Sequence, residues 1–493
     1  MNFKMILHTI GKILILEAIL MLLPLGVSLI YKENALFTFV IPIALTAICG
    51  FLLSLVKIDR KHFYAREGFV VVGLSWIFLS IFGSLPFFIS RVIPNFIDAF
   101  FETVSGFTTT GSSILTGQQI DNLYETQKGL LFWRSFTHWI GGMGVLVFIL
   151  AILPSSEGQN IFILRAESTG PQVGKMVSKI KITARILYII YFAFTIIEVI
   201  MLVCDPGITL YDSLCLSMGS AGTGGFGINS SSIANYSSYV QITIGVWMFL
   251  FGINFNIYFL ILAGKIKQAL KSEELWWYIG IVTVSTISIS LNLYFSTNQL
   301  YAAYKSHYGI ALKDSFFQVS SIITTTGYAT AAFENWPTFS QTILFLLMFI
   351  GACAGSTGGG IKVSRIIILF KSLKLELKKL IHPNCVSNIK FEGSTLDENV
   401  VKGVKSYFAL IMVILGVCTL IVSFDNFDFT TSLTAVVATL NNIGPGLGNV
   451  VGSSGTFAYL SWYSKLTLIF AMLVGRLEIY PILFIFSPST WKN

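Results

Sequence analysis

Charged side chains are scarce in this chain. They make up 11% of its 493 residues, whereas apolar residues make up 54% and the mean hydropathy is +0.76. Soluble globular proteins carry about 25% charged residues, so the composition argues against a water-soluble fold. Apolar runs such as Val240–Ala263 and Tyr407–Phe424 approach the ~20 residues that cross a hydrocarbon core. These runs predict a multi-pass membrane protein.

Patterns typical of metal, redox and catalytic sites are also missing. The six cysteines are scattered without a C-x-x-C pair, and the five histidines form no H-E-x-x-H or other ligand spacing. Cysteine in an apolar run behaves as a small hydrophobe. An enzyme would need a cluster of a nucleophile, a base or metal ligands, and the sequence shows no such cluster. We therefore expect no disulfide framework, no covalent cofactor and no enzymatic activity.

The charge distribution predicts the topology. Residues 1–56 contain two apolar runs and no A-x-A-like cleavage site, so we interpret them as two retained transmembrane helices rather than a signal peptide. If the N-terminus is inside, most lysines and arginines fall on cytoplasmic segments, in agreement with the positive-inside rule. The net charge of +8 therefore indicates orientation rather than binding of nucleic acid, and both termini are predicted to be cytoplasmic.

A unit of outer helix, short half-helix, Gly/Thr loop and inner helix occurs four times after the leading helices. Searching for such repeats comes first, because a missed repeat leads to the wrong fold. The pattern predicts an all-α polytopic membrane protein with ten spans and pseudo-fourfold symmetry around one pore. The four repeats cover residues 68–153, 181–263, 275–370 and 402–487, the third with a broken inner helix.

The four loops predict an ion filter. Irregular backbone at membrane depth is tolerated only where it is buried in protein or lines a cavity, and rings of backbone carbonyls can replace the hydration shell of an ion. Glycine aims carbonyls inward without adding bulk, and threonine hydroxyls add oxygen atoms. Loops without carboxylates favour monovalent over divalent cations. The glycines of the four loops, Gly111, Gly225, Gly327 and Gly444, recur at spacings of 114, 102 and 117 residues.

Two roles are expected for the acidic residues on the predicted external side. Asp98, Asp212, Asp314 and Asp428 stand near the starts of the half-helices, where we expect them to cap the helix or interact with its dipole. They would also make the outer mouth acidic and concentrate cations there, together with the other carboxylates on the predicted external side, Glu102, Asp121, Glu125, Glu334 and Asp425.

Over its full length the chain resembles the Trk/Ktr/HKT superfamily of potassium transporters, and within it the bacterial TrkH-type membrane subunits, which have two extra N-terminal helices. The motifs that carry the resemblance are "FFETVSGFTTTGSS", "FWRSFTHWIGGMG", "GGFG", "TTTGY", "GSTGGGIK", "NNIGPG" and "GRLEIYP". The resemblance implies K⁺ uptake across the bacterial inner membrane, with K⁺ bound as a ligand at the filter residues. By resemblance these are Thr109, Thr110, Gly111, Thr223, Gly224, Gly225, Thr325, Thr326, Gly327, Asn442, Ile443 and Gly444. Glycine in all four loops is the pattern that the family associates with K⁺ selectivity. The resemblance further implies a homodimer and a cytosolic, nucleotide-binding, TrkA-like regulatory ring.

A glycine-rich segment interrupts the third inner helix. It approaches the P-loop pattern, but Ile361 separates the last glycine from Lys362 and no hydroxyl residue follows, so we reject a nucleotide site. The segment either bends the helix or packs closely against its neighbours. By resemblance it is an intramembrane gate loop below the filter, formed by Gly355, Ser356, Thr357, Gly358, Gly359 and Gly360.

Arg476 lies inside the last apolar run. An arginine at mid-bilayer costs roughly 2.5–3.5 kcal/mol on insertion scales, so it normally faces a cavity or a partner. Two interpretations remain open. Arg476 either pairs with a carboxylate such as Glu198, or, as the resemblance implies, stands in the pore below the filter as a barrier to cations.

The alternative function is a secondary transporter that couples K⁺ or Na⁺ to protons or another ion. It would need intramembrane carboxylates that form a relay, for which Glu17 and Glu198 are the main candidates. Neither residue belongs to a repeated motif, so channel-like K⁺ uptake is the preferred hypothesis.

Overall fold

The structure is a computed structural model. It describes residues 2–34, 36–57, 65–142, 144, 180–296, 301, 304–305, 307–384 and 388–491. The predicted first inner helix continues to residue 153, and its part beyond residue 144 lies outside the described residues.

The two leading helical stretches pack tightly against each other. The first is formed by helices Phe3–Leu20 and Leu22–Ile30, and the second by a π-helical turn, Leu36–Val40, that continues into helix Ile41–Ser54. A Cβ atom placed on Gly11 would lie 2.5 Å from the Ser54 backbone nitrogen. Small residues at such crossings let helix backbones approach closely in a membrane.

The four outer helices are long and largely continuous. They span Ala65–Gly83 (extended by Leu85–Ile89), Ile180–Val203, Glu273–Phe295 and Glu398–Val422. Each contributes a stretch that is long and apolar enough to cross a membrane, as do the two leading stretches. Within the residues that the structure describes, six of the ten predicted spans are therefore helices of sufficient length, namely the leading pair and the outer helices.

The four half-helices are short. They span Phe96–Phe107, Leu210–Gly222, Tyr308–Ile323 and Phe429–Leu440. Most of their residues are buried. Smaller elements on the connections are helices Gly117–Thr126, Ile266–Ala269 and Pro488–Trp491 and the 3₁₀ turns Phe333–Asn335, Ser423–Asp425 and Phe457–Tyr459.

The inner helices are interrupted more often than the sequence predicts. In the order of the repeats they comprise Lys128–Gly142, Ser238–Phe251 with Phe255–Leu262, Thr338–Met348 with Val363–Ile381, and Trp462–Arg476 with Tyr480–Phe486. The break in the third was predicted. The expectation of one continuous helix over Val240–Ala263 is wrong, because its two parts meet at 88°. The expectation of one continuous helix over Ser461–Phe486 is also wrong, because the helix ends at Arg476 and a second helix begins at Tyr480.

A side-chain cap, a long-range backbone bond and positive φ angles accompany the two unexpected breaks. In the second inner helix, Asn254 caps the new helix with its side chain, and the freed N–H of Phe255 donates to the Gly355 carbonyl at 3.0 Å. In the fourth, Glu478 and Ile479 have positive φ angles of 55° and 72°. Such a conformation cannot continue a right-handed helix.

A two-stranded hairpin lies between the third and fourth repeats. Strands Lys390–Phe391 and Ser394–Thr395 pair antiparallel, and Glu392 and Gly393 form the turn with φ angles of 50° and 75°. Positive φ at both central residues is the hallmark of a tight type I′ hairpin.

Candidate ion-binding site

Each half-helix ends in the same hydrogen-bonded turn. One N–H bonds back three residues and the next bonds back five residues, which is the Schellman arrangement. The longer bonds run from Thr110 to Ser105 at 2.9 Å, and from Gly224 to Gly219, Thr326 to Ser321 and Ile443 to Ala438 at 2.8 Å each. Four sequences with few identities therefore adopt one backbone path, and this path turns the chain sharply at the four predicted loops.

The residue at the turn has a left-handed conformation in all four loops. Its φ angle is 55° at Thr109, 55° at Thr223, 60° at Thr325 and 55° at Asn442. Asparagine tolerates this region, but a β-branched residue there is an outlier and costs about 1–3 kcal/mol. Three threonines thus hold a strained backbone that the surrounding packing must impose.

The four predicted filter glycines lie in one closed ring. A Cβ atom placed on any of them would clash with the backbone carbonyl oxygen of the residue that precedes the glycine of the next loop. The distance from the added Cβ atom to this carbonyl oxygen would be 2.1 Å for Gly111 and Gly224, 1.9 Å for Gly225 and Thr326, 2.1 Å for Gly327 and Ile443, and 2.7 Å for Gly444 and Thr110. The order of contacts is loop one to two, two to three, three to four and four to one.

The field at this ring suits a cation. The carboxyl ends of four half-helices meet at the loops, and each helix end carries the equivalent of roughly −0.5 elementary charge. The loops themselves contain no Asp or Glu. Negative potential from dipoles and carbonyl oxygens, without fixed charge, matches the weak binding that an ion-conducting site requires.

Side-chain bonds join neighbouring loops. The Asn442 amide donates to the Thr110 hydroxyl at 2.9 Å and to the Met472 carbonyl at 3.0 Å. The Ser112 hydroxyl donates to the Gly444 carbonyl at 3.0 Å. The first and fourth loops are therefore linked from both sides.

A buried ion pair that the sequence reasoning missed supports the first two loops. Arg134 Nε lies 2.6 Å from Glu102 Oε1, and both side chains are almost fully buried. The Glu102 carboxylate also accepts from the Ile114 N–H at 2.7 Å, and the guanidinium donates to the Gly227 carbonyl at 2.8 Å. The pair thus fixes the chain just beyond both predicted filter glycines. The expectation that Glu102 lies at the open outer mouth is wrong, because its carboxylate is buried against Arg134. An arginine inside a predicted span was the available signal, because such a charge needs a partner.

Breaking this pair is expected to destabilise the protein. Arg134→Met leaves the Glu102 carboxylate buried without its counter-ion, and truncating one partner of a buried pair costs about 3–5 kcal/mol. We expect a lower thermal unfolding temperature of the detergent-purified protein. The double variant Glu102→Gln/Arg134→Met should recover part of the loss, and a double variant less stable than Arg134→Met would contradict the pairing.

The predicted gate segment packs against the third and fourth loops. The Gly359 N–H donates to the Thr325 hydroxyl at 2.7 Å. A Cβ atom placed on Gly358 would lie 2.9 Å from the Thr324 carbonyl oxygen. A Cβ atom placed on Gly359 would lie 2.9 Å from the Asn441 carbonyl oxygen. These contacts lie at the half-helix ends of the loops rather than at their glycines. Bending of the helix and close packing, which were alternatives for this segment, occur together.

Arg476 joins the same segment to the first inner helix. Its guanidinium donates to the Thr357 carbonyl at 3.0 Å and to the Gly142 carbonyl at 2.8 Å, and also to the Gly141 carbonyl. Glu198, the carboxylate considered as its partner, instead accepts a hydrogen bond from the Ser220 hydroxyl.

The acidic residues near the half-helices follow the prediction in three of four cases, as a cap or as a charge in the first turn, and Asp314 does not. Only Asp428 is an N-cap. Asn95 and Thr209 cap the first two half-helices, which places Asp98 and Asp212 inside the first turn, and Asp314 lies within the third half-helix. Asp98 pairs with Lys465 at 2.7 Å, Asp314 with Lys313 at 3.4 Å, and Asp212 accepts from the Tyr124 hydroxyl at 2.9 Å. Because these carboxylates already have partners, they are less free to attract cations than expected.

Comparisons with known proteins agree with this architecture. The family model of TrkH, described as a cation transport protein, matches residues 33–492. The Trk system potassium uptake protein TrkH of Salmonella typhimurium is 36% identical over 500 residues, covering 100% of both chains. TrkG of Escherichia coli (strain K12), a Trk system potassium uptake protein, is 32% identical, covering 100% of this chain and 99% of that one. The crystal structure of the potassium transporter TrkH from Vibrio parahaemolyticus superposes with a TM-score of 0.87 at 33% identity, with full coverage of both chains. The chain is therefore a multi-pass membrane protein that belongs to the TrkH family of cation transport proteins.

Proposed function

We propose that this protein takes up K⁺ through a channel-like selectivity filter. The observation that carries the proposal is the closed ring of four glycines, each packed against the carbonyl of the residue before the next glycine. Because alanine would not fit at any of the four contacts, the ring has a fixed and narrow geometry. The similarity to proteins named for potassium uptake supports K⁺ as the cation.

In this proposal the residues before the glycines, Thr110, Gly224, Thr326 and Ile443, present carbonyl oxygens to a dehydrated K⁺ ion. The segment Gly355–Gly360 closes the path on the other side of the filter, and Arg476 adds a positive charge there. Ions would enter from the outside, with both termini in the cytoplasm of a bacterial cell and the chain in its inner membrane. The relatives are named as members of a Trk system, and we infer a homodimer that works with a cytosolic, nucleotide-binding, TrkA-like ring.

Coupled secondary transport is not favoured. The Glu198 carboxylate bonds to Ser220 within the second repeat, and Glu17 lies in the leading helices, outside the four repeats. In the described part of the chain, neither carboxylate forms a hydrogen bond with a predicted filter residue.

The test is a comparison of K⁺ and Na⁺ flux into liposomes that contain the purified protein. We expect K⁺ flux to exceed Na⁺ flux by at least about tenfold, and we expect stepwise currents in planar bilayers, because a pore passes many ions per opening. Equal Na⁺ and K⁺ flux would disprove the selectivity, and flux that requires a proton gradient would favour the secondary transporter.

A further inference from the structure

The gate segment has a narrow neck, and one carboxylate from another helix holds it. The Gly351 N–H donates to the Ile361 carbonyl at 2.7 Å, and the Val363 N–H donates to the Ala352 carbonyl at 3.3 Å. These two bonds close the base of the loop. They do not determine where the closed loop lies relative to the surrounding helices.

Glu274, in the first turn of the third outer helix, bonds to both sides of this neck. Its Oε1 atom accepts from the Ala354 N–H at 2.8 Å and from the Ser364 N–H at 3.0 Å. Ala354 directly precedes the gate segment, and Ser364 is the second residue of the helix that follows it. One oxygen atom of a side chain that is 5% exposed therefore anchors both ends of the segment to an outer helix.

The backbone of Glu274 is in turn held by the hairpin between the third and fourth repeats. Glu392, at the turn of the hairpin, accepts from the Glu274 N–H at 3.0 Å and from the Ser272 hydroxyl at 2.9 Å. A carboxylate at a helix N-terminus is favoured by free N–H groups and by the helix dipole. Hydrogen bonds thus run without interruption from the hairpin Lys390–Thr395 to the neck of the gate segment.

We propose that Glu274 is the positioning residue of the gate segment, and that the hairpin holds Glu274 in place. The proposal rests on the proposed function of Gly355–Gly360 as a gate. It adds an anchor on the outer helix and a route by which a partner that moves the hairpin would move the gate. Glu274 acts through the backbone of the neck and not on the ion itself.

Three variants separate the hydrogen bonds from the charge. Glu274→Leu removes the acceptor, whereas Glu274→Gln keeps an oxygen that can accept both bonds. Ser364→Pro removes one of the two donors, and proline already occupies the second helical position in three helices of this chain, at Pro42, Pro86 and Pro481. The matched control is Glu398→Leu, because Glu398 also lies in the first turn of an outer helix but is largely exposed.

The first readout does not depend on ion flux. Cys353 is fully buried beside Ala354, so its alkylation by N-ethylmaleimide, measured peptide by peptide, reports release of the neck. We expect Glu274→Leu to raise the labelling rate about tenfold, since two hydrogen bonds to a charged acceptor are lost. Ser364→Pro and Glu392→Ala should give smaller increases, and Glu274→Gln should stay within about twofold of the unaltered protein.

Equal rates for Glu274→Leu and Glu398→Leu would overturn the proposal. If Glu274→Leu does not fold, unchanged labelling of Cys353 in Ser364→Pro would overturn the proposal. Unchanged labelling in Glu392→Ala would show that the hairpin does not hold Glu274 in place.

The second readout is K⁺ flux into liposomes, which Glu274→Leu should raise because the freed segment no longer closes the path. Increased labelling without increased flux would support Glu274 as the anchor but contradict the gating role of the segment. The two measurements therefore distinguish a failure of this inference from a failure of the proposed function.

Discussion

Replacement of Gly225 by alanine is expected to reduce K⁺ flux by at least about tenfold. The new Cβ atom would lie 1.9 Å from the Thr326 carbonyl oxygen. This neighbour is backbone and cannot rotate away, so the third loop must shift and the ring must open. Displacing one carbonyl from an ion that has given up its hydration shell removes part of the compensation for dehydration, and each 1.36 kcal/mol added to the barrier slows the flux about tenfold.

Gly264→Ala provides the matched control. Gly264 has a φ angle of 74°, close to the 72° of Gly225, but a Cβ atom there would meet nothing within 4 Å. Both variants therefore carry the same left-handed penalty of roughly 1–2 kcal/mol, and only Gly225→Ala adds the clash. The measurement is uptake of K⁺ and Na⁺ into liposomes at matched protein content, with thermal unfolding in detergent. Wild-type K⁺ flux in folded Gly225→Ala, or equal losses in both variants, would show that the ring is not the ion path.

The sequence predicted the repeats and the loops because their chemistry is local. Glycine and threonine stand out in an apolar run, and regular recurrence identifies loops as different as "TTTG" and "NNIGPG". The sequence predicts that the threonines at the turns contribute oxygen atoms to the filter. Their left-handed backbone was not predicted, because helix ends normally place glycine or asparagine there. It is imposed by packing in the assembled ring.

The features that the sequence did not predict depend on partners far along the chain. The break after Phe251 brings the Phe255 N–H to the Gly355 carbonyl, and no local signal gives this partner. Asp98 stands in the first turn of its half-helix, yet its ion-pair partner, Lys465, lies in the fourth repeat. The pair of Arg134 and Glu102 was missed as well, although two charges in apolar surroundings indicate that each needs a partner.

Arg476→Ala is expected to raise K⁺ flux by at least about tenfold in protein that folds normally. The guanidinium lies among the carbonyls of Thr357, Gly141 and Gly142, next to the segment proposed as the gate. A positive charge within about 4 Å of a passing cation opposes it by roughly 4 kcal/mol at an effective dielectric constant of about 20. Removing the charge lowers this barrier, and it also releases the Thr357 carbonyl from the first inner helix.

Arg476→Lys separates these two effects. Lysine keeps the positive charge but lacks the planar fork that lets arginine bond to carbonyls of two elements at once. If repulsion dominates, flux through Arg476→Lys should stay near that of the unaltered protein while flux through Arg476→Ala rises. If the bond to Thr357 dominates, both variants should conduct faster, and both should label faster at Cys353, as Glu274→Leu is expected to. Unchanged flux in folded Arg476→Ala would exclude both roles and leave Arg476 as a residue that only joins helices.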